Sequence, residues 1–255
     1  MNASYENCYV AFLDILGFKE MVKRKDKNIL SVFEKLSDKE QLFTALEKSN
    51  CNACTEYSTT LIHVCFHVMS DSVVISVPSN KPYALEIIIR ACLYLQCQLY
   101  AVGKVNAITK DHKHDIEGEP VLLRGAIACG EFYQKDSIAF GPALVDAYVC
   151  QENYAKYPRI IVSKELVESV GDRISLYELL YFDESDRYFY IDCMKEYFEK
   201  SDPYIPEIKR FAKFINRHLD FYEPLSIREK YIWLSNDFRR INGNTIFTGN
   251  ETIEL

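Results

Sequence analysis

The sequence predicts an α+β fold, a mixed sheet carrying helices and followed by a C-terminal helical extension. Three observations predict it. β-branched and aromatic runs alternate with stretches whose apolar residues recur every three or four positions. Two late β-rich runs follow one another directly across a polar turn, as a closing hairpin would. Past Asp202-Pro203 only helical periodicity remains. With 255 residues, 48% of them hydrophobic, the chain is long enough to bury a sizeable core. It divides into a body over 1–200 and a helical extension over 201–255 packed on that body.

The first strand is expected over Cys8 to Asp14, followed by a helix over about 28–48 in which Ile29, Val32, Phe33 and Leu36 share a face. Two strand-like runs within 61–77 flank Ser70-Asp71-Ser72, short enough to be a hairpin tip. Leu85, Ile88, Ile89, Cys92 and Leu93 mark a second helix, and a polar loop over 103–120 leads to a strand over Val121 to Cys129. Pro142, well suited to a helix start, opens a third helix reaching Ala155, and Tyr157 to Val162 restart a strand. The closing hairpin pairs 175–182 with Tyr188 to Cys193 through the turn Asp183 to Arg187. Two helices with faces Ile208, Phe211, Phe214, Ile215, Leu219 and Ile227, Tyr231, Leu234, Phe238 end near Asn242-Gly243-Asn244, and the tail beyond reads as a loose end.

Charge and composition narrow the function. A net charge of −7 argues against an extended nucleic-acid surface, because clustered Lys and Arg supply most nonspecific affinity for phosphate backbones. A single nucleotide remains compatible, since metal ions bring their own positive charge. No secretory leader and no membrane span are visible: the longest apolar stretch, 84–102, is interrupted by Glu86, Arg90, Gln96 and Gln98. Nine cysteines, several within apolar runs, read as reduced thiols of a soluble cytoplasmic protein.

The chemistry concentrates on two carboxylates. Asp14 closes the apolar run Val10 to Leu13 just before a turn containing Gly17, and Asp71 occupies a hairpin tip. Acidic side chains from neighbouring strands can bridge divalent cations that polarise a phosphoryl group. The backbone amides of Ile15, Leu16, Gly17 and Phe18, with a helix starting near Phe18, are placed to receive phosphates. The same two aspartates also fit purely structural roles, an N-cap and a turn residue.

Phe12-Leu13-Asp14-Ile15-Leu16-Gly17-Phe18, the Asp71 hairpin, Arg124 to Gly130, Gly141 to Glu152 and Arg159 to Ser163 resemble, in order and spacing, the class III nucleotide cyclase catalytic domain over about residues 8–193. The resemblance implies a ferredoxin-like core containing a βαβ unit, a head-to-tail homodimer with active sites at its interface, and cyclisation of a nucleoside triphosphate with release of pyrophosphate. It implies two Mg²⁺ or Mn²⁺ ions held by Asp14 and Asp71, with Ile15 beside Asp14 in the metal set, and the triphosphate on the main chain that follows.

The departures from that pattern are specific. The base-reading Lys of purine cyclases, four residues before the second aspartate, is matched by His67, and its acidic or hydroxyl partner by Ile138. The family's transition-state Asn and Arg align with Asp146 and Cys150. With Gly141-Pro142-Ala143 and Tyr157-Pro158-Arg159-Ile160, the chain is similar to the stand-alone pyrimidine cyclases of bacterial anti-phage signalling, which implies UTP or CTP as substrate. Loss of catalysis on a retained nucleotide-binding or dimerisation fold, and a purine cyclase with a rebuilt base pocket, are the competing readings.

Other residues carry two readings each. Period-two alternation puts His67 on a face with His63, Cys65 and Asp71, lining a base pocket or simply satisfied within the fold. Cys51-x-x-Cys54 with His63 and Cys65 offers zinc ligands, ordinary thiols being the plainer reading. Arg187 lies near the family's triphosphate-binding Lys, and Lys135 is another candidate cation; either also reads as surface charge, as does the loop 110–115. Arg124 reads as a structural strand residue, Glu131 as a strand-end cap, and the aromatic residues Phe211, Phe214, Tyr231 and Trp233 as packing.

Overall fold

A computed structural model describes residues 5–26, 28–49, 55–102, 119–135, 138–171, 177–200, 205–220, 224–243, 246–248 and 251–253. Its centre is a mixed sheet with order β2-β3-β1-β4-β6-β8-β7, formed by β1 (Glu6–Ile15), β2 (Cys65–Met69), β3 (Ser72–Pro78), β4 (Leu123–Lys135), β6 (Ile160–Val162), β7 (Leu180–Asp183) and β8 (Tyr188–Ile191). A short β5 (Ile138–Phe140) folds back onto the far end of β4. β1 is antiparallel to both β3 and β4, whereas β6 runs parallel to β4.

Alternation along β1 separates the two faces. Ala11, Leu13 and Ile15 join the main core with Val73, Ile75 and Val77 of β3 and with Ile87 and Ile88 of α5 (Ala84–Tyr100). Cys8, Val10 and Phe12 point the other way, against Ala143 and Leu144 of α6 (Pro142–Tyr154). Asp14 follows the parity of Phe12. Its carboxylate therefore belongs to the face that carries α6.

Register depends on close backbone approach at Gly125, which pairs with Leu13. A Cβ there would meet both Leu13 Cδ2 and the Phe12 carbonyl oxygen at 2.6 Å, and a backbone oxygen cannot swing aside. Gly125→Ala is expected to cost about 1–3 kcal/mol in a denaturant titration, the usual range for overpacking. A cost below a few tenths of a kcal/mol would mean that the β1–β4 ladder has slack.

Several elements depart from the sequence expectation. The helix expected over 28–48 is two, α2 (Asn28–Ser37) and α3 (Lys39–Lys48), because the Asp38 side chain accepts from Gln41 N at 2.9 Å and caps a new helix. The strand-like run starting at Leu61 begins instead with the end of α4 (Thr55–Leu61), whose Thr59 and Thr60 hydroxyls bond back to Glu56 O. β4 continues to Lys135, so Glu131 lies within a strand, opposite Asn7, rather than at its end. An unforeseen helix, α7 (Lys164–Val170), is capped by Ser163, and Cys193 opens α8 (Cys193–Lys200) instead of ending a strand.

The extension is α9 (Ile205–Asp220) and α10 (Leu225–Asn242). Phe211, Ile215, Leu234 and Phe238 belong to the same buried cluster as Leu13 and Ile88. The tail expected to be loose forms a two-stranded ribbon, β9 (Ile246–Thr248) with β10 (Glu251–Ile253). Among the described residues no helix is long and apolar enough to cross a membrane.

Candidate functional site

Asp14 and Asp71 converge because β1 ends where the β2–β3 hairpin turns. Met69 pairs with Ser72, leaving Ser70 and Asp71 as a two-residue tip, with Ser70 in the left-handed region at φ 56°. The tip is fastened to β1 by Ile15 N donating to the Asp71 carbonyl at 2.9 Å. That bond fixes the main chain of Asp71 beside the residue following Asp14, and the two carboxylates repel one another electrostatically.

Asp14 is paired with a residue that reads from sequence as merely structural. Arg124, its cross-strand neighbour on β4, donates Nε to Asp14 Oδ2 at 2.9 Å and a terminal nitrogen to Glu152 Oε1 at 2.8 Å. The Gln151 amide, with its oxygen toward Arg124, accepts at 2.7 and 3.1 Å and donates to Glu152 at 3.2 Å. Burial raises the pKa of the Asp14 carboxyl above its ordinary value, opposed by the Arg124 hydrogen bond and charge and reinforced by Asp71 and Glu152.

A raised folded-state pKa means that the native state holds its proton more tightly than the unfolded chain. Asp14 thus contributes stability that is complete below the unfolded value of about 3.9 and is lost as pH rises through the folded value. Asp14→Asn is expected to flatten that loss in metal-free protein. Denaturant titrations at several acidic pH values measure it, and identical pH slopes in both proteins would contradict it.

The turn after β1 divides the expected phosphate amides into two groups. Ile15 N is bound to Asp71 O and Leu16 N to Leu122 O, both at 2.9 Å, so among the described residues the amides of Gly17 and Phe18 are the pair of these four left to receive a ligand. Gly17 takes φ 77°, open only to residues that tolerate a left-handed backbone, and starts α1 (Phe18–Lys23). At six residues α1 adds only a weak dipole, less than the expected helix start suggests.

His67 sits on the edge strand with Cys65, its Nε2 buried and without a hydrogen-bond partner among the described residues. Beside it opens a cavity of about 440 Å³, lined among others by Lys39, Phe43, Cys65, His67 and Gln134. His63 does not share that strand: it lies in the turn after α4, its amide bonded to Thr60 O at 2.9 Å. A second cavity, of about 300 Å³ between α3 and α5, touches none of these residues.

The remaining candidates separate by position. Asp146 is exposed on α6, and Cys150 one turn later is buried with Ala126, Ile161 and Tyr190, its thiol pushed up to about 11 chiefly by burial. A side chain in that place cannot clamp a phosphate. Ile138, at the position of a purine reader's partner, is an exposed apolar residue of β5. Arg187 is exposed at the tip of the β7–β8 hairpin, which the antiparallel pairing of Ile161 with Tyr190 directs away from the end of β4 that carries Arg124. Lys135 pairs with Ile138 at the opposite end of β4, eleven residues beyond Arg124 and so about 35 Å away. Cys51, Cys54 and the loop 110–115 lie outside the described residues.

Among the described residues no group of three or more His, Cys, Asp or Glu side chains is gathered to hold a metal ion. The Asp14 and Asp71 pair still suits Mg²⁺, which keeps several waters and is commonly held through one or two carboxylates plus substrate phosphates. Raised proton affinity at Asp14 and mutual repulsion of the two carboxylates are what a cation placed there would relieve. Sequence reasoning missed Arg124 as the partner of Asp14 and Gln151 and Glu152 as partners of Arg124. The antiparallel register brings Arg124 there and the packing of α6 on the sheet brings the other two, and sequence periodicity gives neither.

No protein-family model and no curated protein matches the chain. Among solved structures it is similar to the monomeric guanylyl cyclase domain of the RhoGC fusion protein from the aquatic fungus Blastocladiella emersonii, at TM-score 0.49 and 14% identity over 74% of this chain and 98% of that one. It is similar to the adenylate/guanylate cyclase/hydrolase from Silicibacter pomeroyi, at TM-score 0.44 and 16% identity over 74% and 96%. For the adenylyl cyclase CyaB from P. aeruginosa the values are TM-score 0.42 and 14% identity over 75% and 94%. At these scores the overlays assign no residue roles to this chain.

Proposed function

We propose that the protein is a metal-dependent nucleotide cyclase that converts UTP or CTP to the 3′,5′-cyclic monophosphate and pyrophosphate, as a signal in anti-phage defence. The observation that carries this reading is the convergence of Asp14 and Asp71 at one end of the sheet, locked by the Ile15 to Asp71 backbone bond. Asp14 and Asp71 would hold Mg²⁺ or Mn²⁺ with the Ile15 main chain, and the metal would supply charge to activate the ribose 3′-hydroxyl and stabilise the leaving pyrophosphate.

The chain's own residues do the positioning. The amides of Gly17 and Phe18 would receive the outer phosphates. The 3′-oxygen attacks the α-phosphorus, the bond to the bridging oxygen of the β-phosphate breaks, and pyrophosphate departs. Arg124 donates to both Asp14 and Glu152, so it would keep Glu152 as its acceptor with Asp14 turned to a cation. Asp146, exposed on α6, would meet the nucleotide in this reading.

Pyrimidine selectivity is supported by the missing purine readers and by the buried, unpartnered His67 Nε2, a polar atom that a base edge would satisfy. The homodimer is supported by the apolar residues left exposed on β5 and α6, Ile138, Phe140, Val145, Tyr148 and Val149. The binding-module alternative draws on one observation: a buried thiol at Cys150 replaces a phosphate-clamping cation on α6.

The test is incubation of purified protein with ATP, GTP, CTP and UTP, each with Mn²⁺, followed by mass detection of cyclic monophosphates. Cyclic UMP or CMP is the expected product. Cyclic AMP or GMP alone would move the assignment to a purine cyclase, and nucleotide binding without any product would favour the binding module. The defence role predicts that cells carrying the intact chain restrict phage and that cells carrying Asp71→Ala do not.

A further inference from the structure

On α10, Lys230, Trp233, Asp237 and Arg240 are spaced by three and four residues and so share one face. The three later residues are anchored. Trp233 stacks on Tyr157 at 5.6 Å with an interplanar angle of 4° and meets Tyr190 at 5.5 Å. Asp237 accepts from the Tyr190 hydroxyl at 2.7 Å, and Arg240 donates to Asp192 at 2.7 and 3.0 Å. This face therefore lies along β8 and over the segment 157–159. That segment touches the site, because Gly125 N, next to Arg124, donates to Arg159 O at 3.1 Å.

Lys230 is one turn before Trp233 on this fixed face, half-buried, and electrostatically coupled to Arg124, Asp14 and Glu152. It forms no hydrogen bond or ion pair with the described residues. The helix α6 offers no cation at all: its sequence from Pro142 to Tyr154 contains neither Lys nor Arg. A triply phosphorylated ligand at Asp14 needs positive charge close by, and an uncommitted ammonium beside Arg124 provides it.

We infer that Lys230, reaching from the C-terminal helix to the Asp14–Arg124–Glu152 cluster, is the polyphosphate-binding cation of this site. The inference rests on the nucleotide-cyclase reading for its ligand. Arg124 beside Lys230 strengthens the case: without an anion the two cations repel, and burial together with Arg124 lowers the Lys230 pKa, against the pull of Asp14 and Glu152. A phosphate chain between them converts that repulsion into two charge-assisted contacts.

Calorimetric titration of the full chain with inorganic tripolyphosphate in the presence of Mg²⁺ tests this without requiring a base or turnover. Lys230→Gln is expected to weaken binding roughly ten- to hundredfold, the range of a hydrogen bond to a charged group. Lys230→Arg is expected to retain most of it. Arg239→Gln, exposed on the opposite side of α10, is expected to change nothing. Equal affinity in wild type and Lys230→Gln, or no binding by the wild type, would overturn the inference. If tripolyphosphate binding depends on Lys230 but no cyclic nucleotide forms, the cyclase reading fails and the cation assignment stands. If cyclic nucleotide forms with the same KM in Lys230→Gln, the reading stands and the assignment fails.

Discussion

Asp14→Ala and Asp71→Ala are each expected to lose roughly a thousandfold or more in cyclase turnover, while the protein stays folded. The loss follows from removing a carboxylate that holds a catalytic metal, which is worth several kcal/mol in transition-state charge stabilisation, each 1.36 kcal/mol being about tenfold. The fold should hold for reasons specific to each site. At Asp71 the structural contact is made by the backbone carbonyl, which accepts from Ile15 N and survives any side-chain change. At Asp14 the side chain contributes an ion pair to Arg124 in which both partners keep about a fifth of their exposure, and such pairs are worth about 1 kcal/mol or less. Arg124 keeps its second acceptor, Glu152, when Asp14 is removed. Circular dichroism with the mass-detected product assay separates the two effects. Undiminished product from both folded variants would remove the metal site from this end of the sheet.

What could be read from the sequence follows from where each signal resides. The Asp14 and Asp71 convergence was legible because both residues sit at boundaries, one after an apolar run and one between two, and boundaries are marked by local composition. Pro142, the Gly17 turn and the two terminal helix faces were legible for the same reason. α4 and α8 were not: Leu61 and Cys193 extend β-rich runs, and only hydroxyl and carboxylate bonds to neighbouring backbone, such as Asp192 to Lys195 N at 3.2 Å, turn those runs helical. Arg124, Glu152 and Lys230 were invisible as site residues for a different reason. They meet Asp14 through a ladder register, a helix laid on the sheet and a C-terminal helix folded back, and none of these leaves a periodic trace. The acidic centre of the site was read as two carboxylates. The structure surrounds one of them with charges drawn from β4, α6 and α10.

Arg210→Met is expected to destabilise the protein by about 3–5 kcal/mol, which would make the extension part of the folding unit. Arg210 and Glu207 of α9 form an ion pair whose side chains retain 5% and 2% exposure. The guanidinium also donates to the carbonyl oxygens of Val102, at 3.2 Å, and Tyr100, where the end of α5 leaves acceptors that no further turn can satisfy. Glu207 in turn accepts from the Tyr197 hydroxyl at 2.6 Å. Removing the cation therefore takes the counter-charge from a buried carboxylate and a donor from two helix-end carbonyls together. The double change Glu207→Leu with Arg210→Met removes the buried charge as well and should recover part of the loss. It should still remain about 1–3 kcal/mol below wild type, because the carbonyls of Tyr100 and Val102 lose the guanidinium donor and the Tyr197 hydroxyl loses its Glu207 acceptor. Urea titration of the single and double variants measures both. A single variant within 1 kcal/mol of wild type would mean that α9 can leave α5 at little cost. α10, and with it the position of Lys230 beside Asp14, would then be no better fixed than its contacts to Tyr157, Tyr190 and Asp192.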